Sequence, residues 1–218
     1  MLNYRFSKSK SAVFISHLDV LRSTNRTLRR MGIDVNYSQG FNPHMLVNLS
    51  QPLVTGVKSL SEWASIDTDY EDEKGFIALY NQFSPEGFEA LECIITKQKP
   101  KLAGKITASD YFIECSKAIK IKDQLKKIVS QEFIIEIEKK GELIKKEAQD
   151  LIYSVNADEK GIYARMCFGN RNLRVDKFCQ SLNKNFDLQI SLMDITRQSQ
   201  LIEKDNGFIT VSQYLKGL

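Results

Sequence analysis

Residues 15–44 read ISHLDVLRSTNRTLRRMGIDVNYSQGFNPH, and within them the chain passes from an extended segment, through a helix marked at both ends, into a second extended segment. Ser16 is a natural N-cap, with Asp19 three residues on in capping-box position. Leu18, Leu21, Leu28 and Met31 recur at helical spacing as the expected core face. Gly32 supplies the C′ residue that stops a helix over 17–31.

Working outward, residues 2–6 and 12–15 are apolar-rich around the polar turn Ser7-Lys8-Ser9-Lys10, and read as one interrupted strand or a tight hairpin. Downstream, extended segments are expected at 33–38, 45–50 and 62–69, a helix at 72–83 and a strand at 88–96, which gives β-α-β-β-α-β with an additional strand. The polar run 97–105, with Pro100 and Gly104, reads as a linker. Beyond it the order recurs: strand 111–116, helix 122–130, strands 132–138, 148–156 and 161–168, helix 175–185, strand 188–195, and a short terminal helix in 211–218. The Lys139-Lys140 and Lys145-Lys146 pairs flank an expected hairpin turn at Gly141. The expected fold is α+β, as two tandem ferredoxin-like (βαββαβ) units with mostly antiparallel sheets, over 1–98 and 106–218; a single domain with a continuous sheet is the alternative.

The chain has 218 residues, 42% hydrophobic and 27% charged, enough to bury a core without disulfides or metal. No window approaches the ~20 apolar residues of a membrane span. The start, Met1-Leu2-Asn3-Tyr4-Arg5-Phe6, has no apolar signal-peptide core, so a cytoplasmic protein with reduced thiols is expected. Cys93, Cys115, Cys167 and Cys179 form no C-x-x-C pair and there are two histidines, so neither a zinc site nor another cofactor is expected. These cysteines and Trp63 read as packing residues.

The net charge of +4 conceals a segregation. Residues 1–58 hold eight Lys/Arg against two Asp/Glu, and residues 59–100 hold three against nine. In the first segment Arg22, Arg26, Arg29 and Arg30 gather on one side of the expected helix, where Asp19 is the sole carboxylate. Guanidinium forks suit phosphate or carboxylate. Carboxylates of the 59–100 segment are the competing internal partners: if they pair with the stripe it is structural, and if not it is a binding surface. The loop Tyr37-Ser38-Gln39-Gly40-Phe41-Asn42-Pro43-His44 follows, with Gly40 free to take positive φ and Pro43 holding Asn42 extended. It offers stacking and hydrogen-bonding groups in Tyr37, Gln39, Phe41, Asn42 and His44, and His44 has a reference pKa near 6.5.

Together with Phe14-Ile15-Ser16-His17-Leu18-Asp19, Arg29-Arg30-Met31-Gly32 and Gln51-Pro52-Leu53…Gly56…Ser59…Glu62, that loop resembles the uncharacterised radical-SAM-linked protein family over about residues 4–66. The latter half is similar more loosely, through Asp194-Ile195-Thr196-Arg197, and departs from the pattern in its lysine-rich 139–146. The resemblance implies a partner that is a radical-SAM protein, fused or encoded alongside, and genomic neighbours that hint at RNA. The cysteines lie at least 12 residues apart, so the C-x-x-x-C-x-x-C spacing of a radical-SAM cluster is missing and this chain is not that catalyst.

Three functions follow as expectations. The first is an accessory or substrate-recruiting protein that presents RNA to a radical-SAM enzyme, binding through Arg22, Arg26, Arg29, Arg30, Gln39, Phe41, Asn42 and His44. The second is a metal-independent RNA endonuclease of the tandem ferredoxin-like, CRISPR RNA-processing type, with His44, His17, Tyr37 and Ser38 as candidate catalytic groups. The third is a protein–protein interaction module whose docking faces are the basic helix and the acidic segment.

Overall fold

The computed structural model describes residues 1–139 and 141–218. Lys140, one of the lysines flanking the hairpin, lies outside the described residues. The chain is mixed α+β and divides into two compact units, Met1–Ile106 with Ile202–Leu218, and Thr107–Leu201. Residues 202–218, read from sequence as part of the second half, group with the first.

The first unit runs β1 (Leu2–Lys8), α1 (His17–Met31), β2 (Val47–Leu49), β3 (Lys58–Ile66), α2 (Glu73–Phe83), β4 (Phe88–Ile95) and a short α3 (Leu102–Lys105). Its strands lie in the order β4-β1-β3-β2, every neighbour antiparallel. Alternation along β1 sends Leu2, Tyr4 and Phe6 into a core with Val20, Leu28 and Met31 of α1 and Phe76 and Tyr80 of α2. The Tyr4 ring lies 4.9 Å from both Phe76 and Tyr80. Asn3 is fully buried and fully used: its amide donates to the Ile94 carbonyl and the Thr96 hydroxyl, and its Oδ1 accepts from Ser65. Trp63 is buried, as are all four cysteines.

The second unit runs β5 (Ala108–Glu114), α4 (Lys122–Lys127), β6 (Ile134–Lys139), β7 (Glu142–Glu147), β8 (Ile152–Ala157), β9 (Gly161–Cys167), α5 (Val175–Phe186) and β10 (Ile195–Lys204), the last strand ending in the first unit. Its strand order is β10-β5-β9-β8, and β6 and β7 form a separate hairpin. Arg197, from the motif near the end, is buried with its guanidinium carbon 4.5 Å from the centre of the Phe168 ring. A strand β11 (Gly207–Thr210) and a helix α6 (Val211–Leu215) complete the chain.

Several local expectations are corrected. Residues 12–15 are not a strand: Lys10 takes φ 50°, and the chain turns into a 3-10 helix over Lys10–Phe14 that buries Ala12 and Val13. Residues 33–38 form no strand beyond the Tyr37–Met45 bridge. The strand expected at 188–195 begins only at Ile195, because Asp187 and Gln189 adopt positive φ and Ser191 caps a 3-10 turn over Leu192–Asp194. Residues 148–151 are likewise a turn before β8. The 97–105 linker contains α3; β7, not assigned as a strand, pairs with β6 across the expected hairpin turn at Gly141.

Candidate nucleic-acid interface

The helix α1 forms over the residues its caps mark. Ser16 Oγ accepts the Asp19 N–H at 3.2 Å, and Gly32 closes the other end in the left-handed region at φ 67°. The reciprocal half of the expected capping box is replaced. The Ser16 hydroxyl donates to Asp19 Oδ2 at 2.7 Å, while Asp19 Oδ1 takes Arg22 at 2.8 Å. These bonds, Ser16 first and then Arg22, hold the Asp19 carboxyl below its ordinary range. The buried face also differs from the expected one. Val20, Thr24, Thr27, Leu28 and Met31 face inward, whereas Leu18 is 63% exposed. At ~100° per residue Leu18 stands about 200° around the helix from Val20, so threonines complete the face it was expected to fill.

Arg22, Arg26 and Arg30 line one groove of about 610 Å³. Ala12, Ile15 and Phe88 give it apolar walls, and Asp19 and Glu86 are its carboxylates. Arg29 is exposed but outside the groove. The acidic segment does not neutralise the stripe. Glu86 pairs with Lys10 at 2.7 Å, Glu92 with Arg5 and Lys216, Asp67 accepts from Asn36, and Asp72 caps α2. Among the described residues Arg26 and Arg29 have no ion pair, and the hydrogen bond Arg30 makes is a long one, 3.4 Å, to Thr27.

The loop that follows is pinned at its neck. The Ser38 N–H donates to the His44 carbonyl (2.9 Å), the His44 N–H to Ser38 Oγ (3.1 Å), and the Ser38 hydroxyl stands 2.8 Å from His44 Nδ1. This leaves Nε2 as the ring nitrogen open to a ligand. Gly40, at φ 120°, allows the turn that a side chain there would strain. Phe41 at the tip is fully exposed, Tyr37 is 45% exposed, and Gln39 and Asn42 also face solvent. The base is tied to the end of β3 by Asn36 Nδ2 to Asp67 Oδ1 (3.0 Å), and the Thr68 hydroxyl donates to the Asp34 carbonyl. The last turn of α1, with Arg29 and Arg30, leads directly into this tethered segment. The loop residues do not line the arginine groove.

His17 is placed elsewhere. It borders a cavity of about 10 Å³ together with Lys8 and Glu62, which are 3% and 8% exposed. Lys8 Nζ donates to the Ile15 carbonyl at 3.1 Å. His44, Tyr37 and Ser38 do not line that cavity. Sequence reading missed the burial of Lys8 and Glu62. Its one signal was Glu62, a charged residue inside an expected strand; Lys8 falls in the run that reads as a polar turn. No group of three or more His, Cys, Asp or Glu side chains among the described residues is arranged to hold a metal ion. No helix among them is long and apolar enough to cross a membrane.

No curated protein matches the chain. Residues 2–177, which include the arginine helix, the pinned loop and most of the second unit, match the family described as "Uncharacterized protein conserved in bacteria (DUF2344)", and the chain belongs to that family.

Proposed function

We propose that the protein binds single-stranded RNA through α1 and the 37–44 loop and works as an accessory, substrate-recruiting partner of a radical-SAM enzyme. One observation carries the RNA reading: Arg26, Arg29 and Arg30, which among the described residues have no ion pair, lie in the same unit as a loop pinned at its neck that holds a phenylalanine in solvent. Single-strand binding combines a positively charged track with aromatic faces that stack bases. The strand orders β4-β1-β3-β2 and β10-β5-β9-β8 support reading each unit as ferredoxin-like, the second carrying the β6–β7 hairpin as an insertion. The radical-SAM partner rests on the motif resemblance; exposed Phe14 and Leu18, beside the start of α1, suit a docking contact.

Fluorescence anisotropy with a labelled oligouridylate tests the RNA reading. Wild-type protein should bind, with affinity falling as salt rises, and an Arg26→Ala/Arg29→Ala double variant should bind more weakly. Equal, salt-insensitive binding by both proteins contradicts it. For the nuclease alternative, His17 borders the small cavity with Lys8 and Glu62 and His44 Nδ1 stands 2.8 Å from the Ser38 hydroxyl; RNA cleavage by the purified protein that His44→Ala abolishes would favour it.

A further inference from the structure

We propose that the groove along α1 is a backbone site in which Arg26 and Arg30 hold successive phosphates of a single strand, while Asp19 occupies the place of a further phosphate and competes with it for Arg22. This rests on the RNA-binding reading above and deepens it: it names the part of the strand that is held, the groups that hold it, and a resident carboxylate that limits affinity.

The spacing is the first argument. Residues at i, i+4 and i+8 of an α-helix climb ~6 Å and turn ~40° at each step, so Arg22, Arg26 and Arg30 form an evenly spaced row that winds about the helix while lining one groove. Such a row matches a chain of evenly repeated anions better than a single compact one. The second argument is charge. Of the two carboxylates in the groove, Glu86 is taken by Lys10 at 2.7 Å and Asp19 by Arg22 at 2.8 Å. The positive charge left over belongs to Arg26 and Arg30, in the middle and at the far end of the row. The third is the character of the wall. Ala12, Ile15, Pro85 and Phe88 offer no hydrogen bonds to base edges, and beside the arginines and the two carboxylates the polar groups are the hydroxyls of Ser11 and Ser23, so the groove is better equipped to hold backbone than to read sequence.

Asp19 completes the picture. One of its oxygens accepts from a guanidinium and the other from the Ser16 hydroxyl, the two kinds of donor a phosphate in that position would use. It therefore acts as an internal anion at the head of the row. Replacing Asp19 by Asn removes the competing charge and leaves the helix cap in place, because that cap runs from the Asp19 backbone N–H to Ser16.

The experiment is a salt titration of oligouridylate affinity by anisotropy. For a single strand each phosphate contact contributes about 0.7 to the slope of log K against log salt. Arg26→Ala and Arg30→Ala should each lower the wild-type slope by about 0.7. Asp19→Asn should raise it by about 0.7 and tighten binding, a gain that a misfolded protein cannot give. Glu89→Gln, the same change of charge at an exposed position on β4, should leave the slope unaltered. Salt slopes unchanged in the arginine variants and in Asp19→Asn, with binding still weakened by Phe41→Ala, overturn the groove and leave the RNA reading standing. An equal rise in slope for Asp19→Asn and Glu89→Gln overturns the competing role of Asp19. Absence of any oligouridylate binding by the wild type overturns both proposals.

Discussion

The role proposed for Phe41 carries little energetic signature in the free protein. Its ring is fully exposed, so removing it uncovers no cavity and breaks no packing. Phe41→Ala should therefore leave unfolding stability within about 0.5 kcal/mol of wild type, as surface substitutions generally do. It should cost about 1–3 kcal/mol in oligouridylate affinity, the range for losing one stacked base. Thermal melts and anisotropy on the same preparation check both halves. A destabilised variant, or one that binds as well as wild type, contradicts the role given to Phe41. Candidate residues were legible at this scale because Tyr37–His44 is a local segment: Gly40, Pro43 and the polar groups between them dictate a rigid loop from neighbouring residues alone. The burial of Lys8 and Glu62 and the contacts of Arg197 were not legible, because each depends on how the chain packs in three dimensions. The Arg197 guanidinium is covered by the ring of Phe168, nearly thirty residues earlier.

At the scale of elements, α1 followed from its own sequence at both ends because caps are local chemistry. Its inward face did not. Thr24 and Thr27 are more buried than Leu18, since the rotation that seats Val20, Leu28 and Met31 on the sheet fixes every other position. The strand β10 was misplaced for a related reason. The apolar alternation in 188–195 is strand-like, but positive φ at Asp187 and Gln189 bends the chain before pairing begins. The terminal helix α6 was anticipated, and what fastens it was not. Ser212 Oγ and Lys216 Nζ reach Glu92 Oε1 at 2.6 and 3.1 Å, and Arg5 reaches the other oxygen at 3.3 Å. Burial by itself raises the Glu92 carboxyl; Ser212, Lys216 and Arg5 together outweigh it, and the carboxyl titrates below its ordinary range. A carboxyl depressed by folding stabilises fully above its unfolded value near 4.3 and loses that contribution as pH falls through the folded value. Glu92→Gln should therefore cost about 1–2 kcal/mol at neutral pH. The difference from wild type should shrink below about pH 4.3. Urea unfolding across pH 3–7 checks this, and a constant difference over the whole range contradicts it.

For the molecule as a whole, the informative quantity is the distribution of charge along the chain. The basic first segment and the acidic second one fold into the same unit, yet their pairings bypass the arginine stripe. Lys10 and Arg5 take the carboxylates that the stripe lacks. Sequence arithmetic exposed the segregation but not its resolution, because which cation meets which anion is a property of tertiary structure. The mixed α+β class was legible from the element order; the grouping of residues 202–218 with the first unit was not, since it depends on long-range contacts such as those at Glu92. The proposed function places RNA on α1 and the 37–44 loop. Photo-cross-linking of 4-thiouridine-substituted oligouridylate to the intact protein, with mapping of the modified peptides, tests it most directly. Cross-links concentrated in 17–44, with Phe41 and Tyr37 among the modified residues, are the predicted result; cross-links confined to 107–201, or none at concentrations that saturate binding, would contradict it.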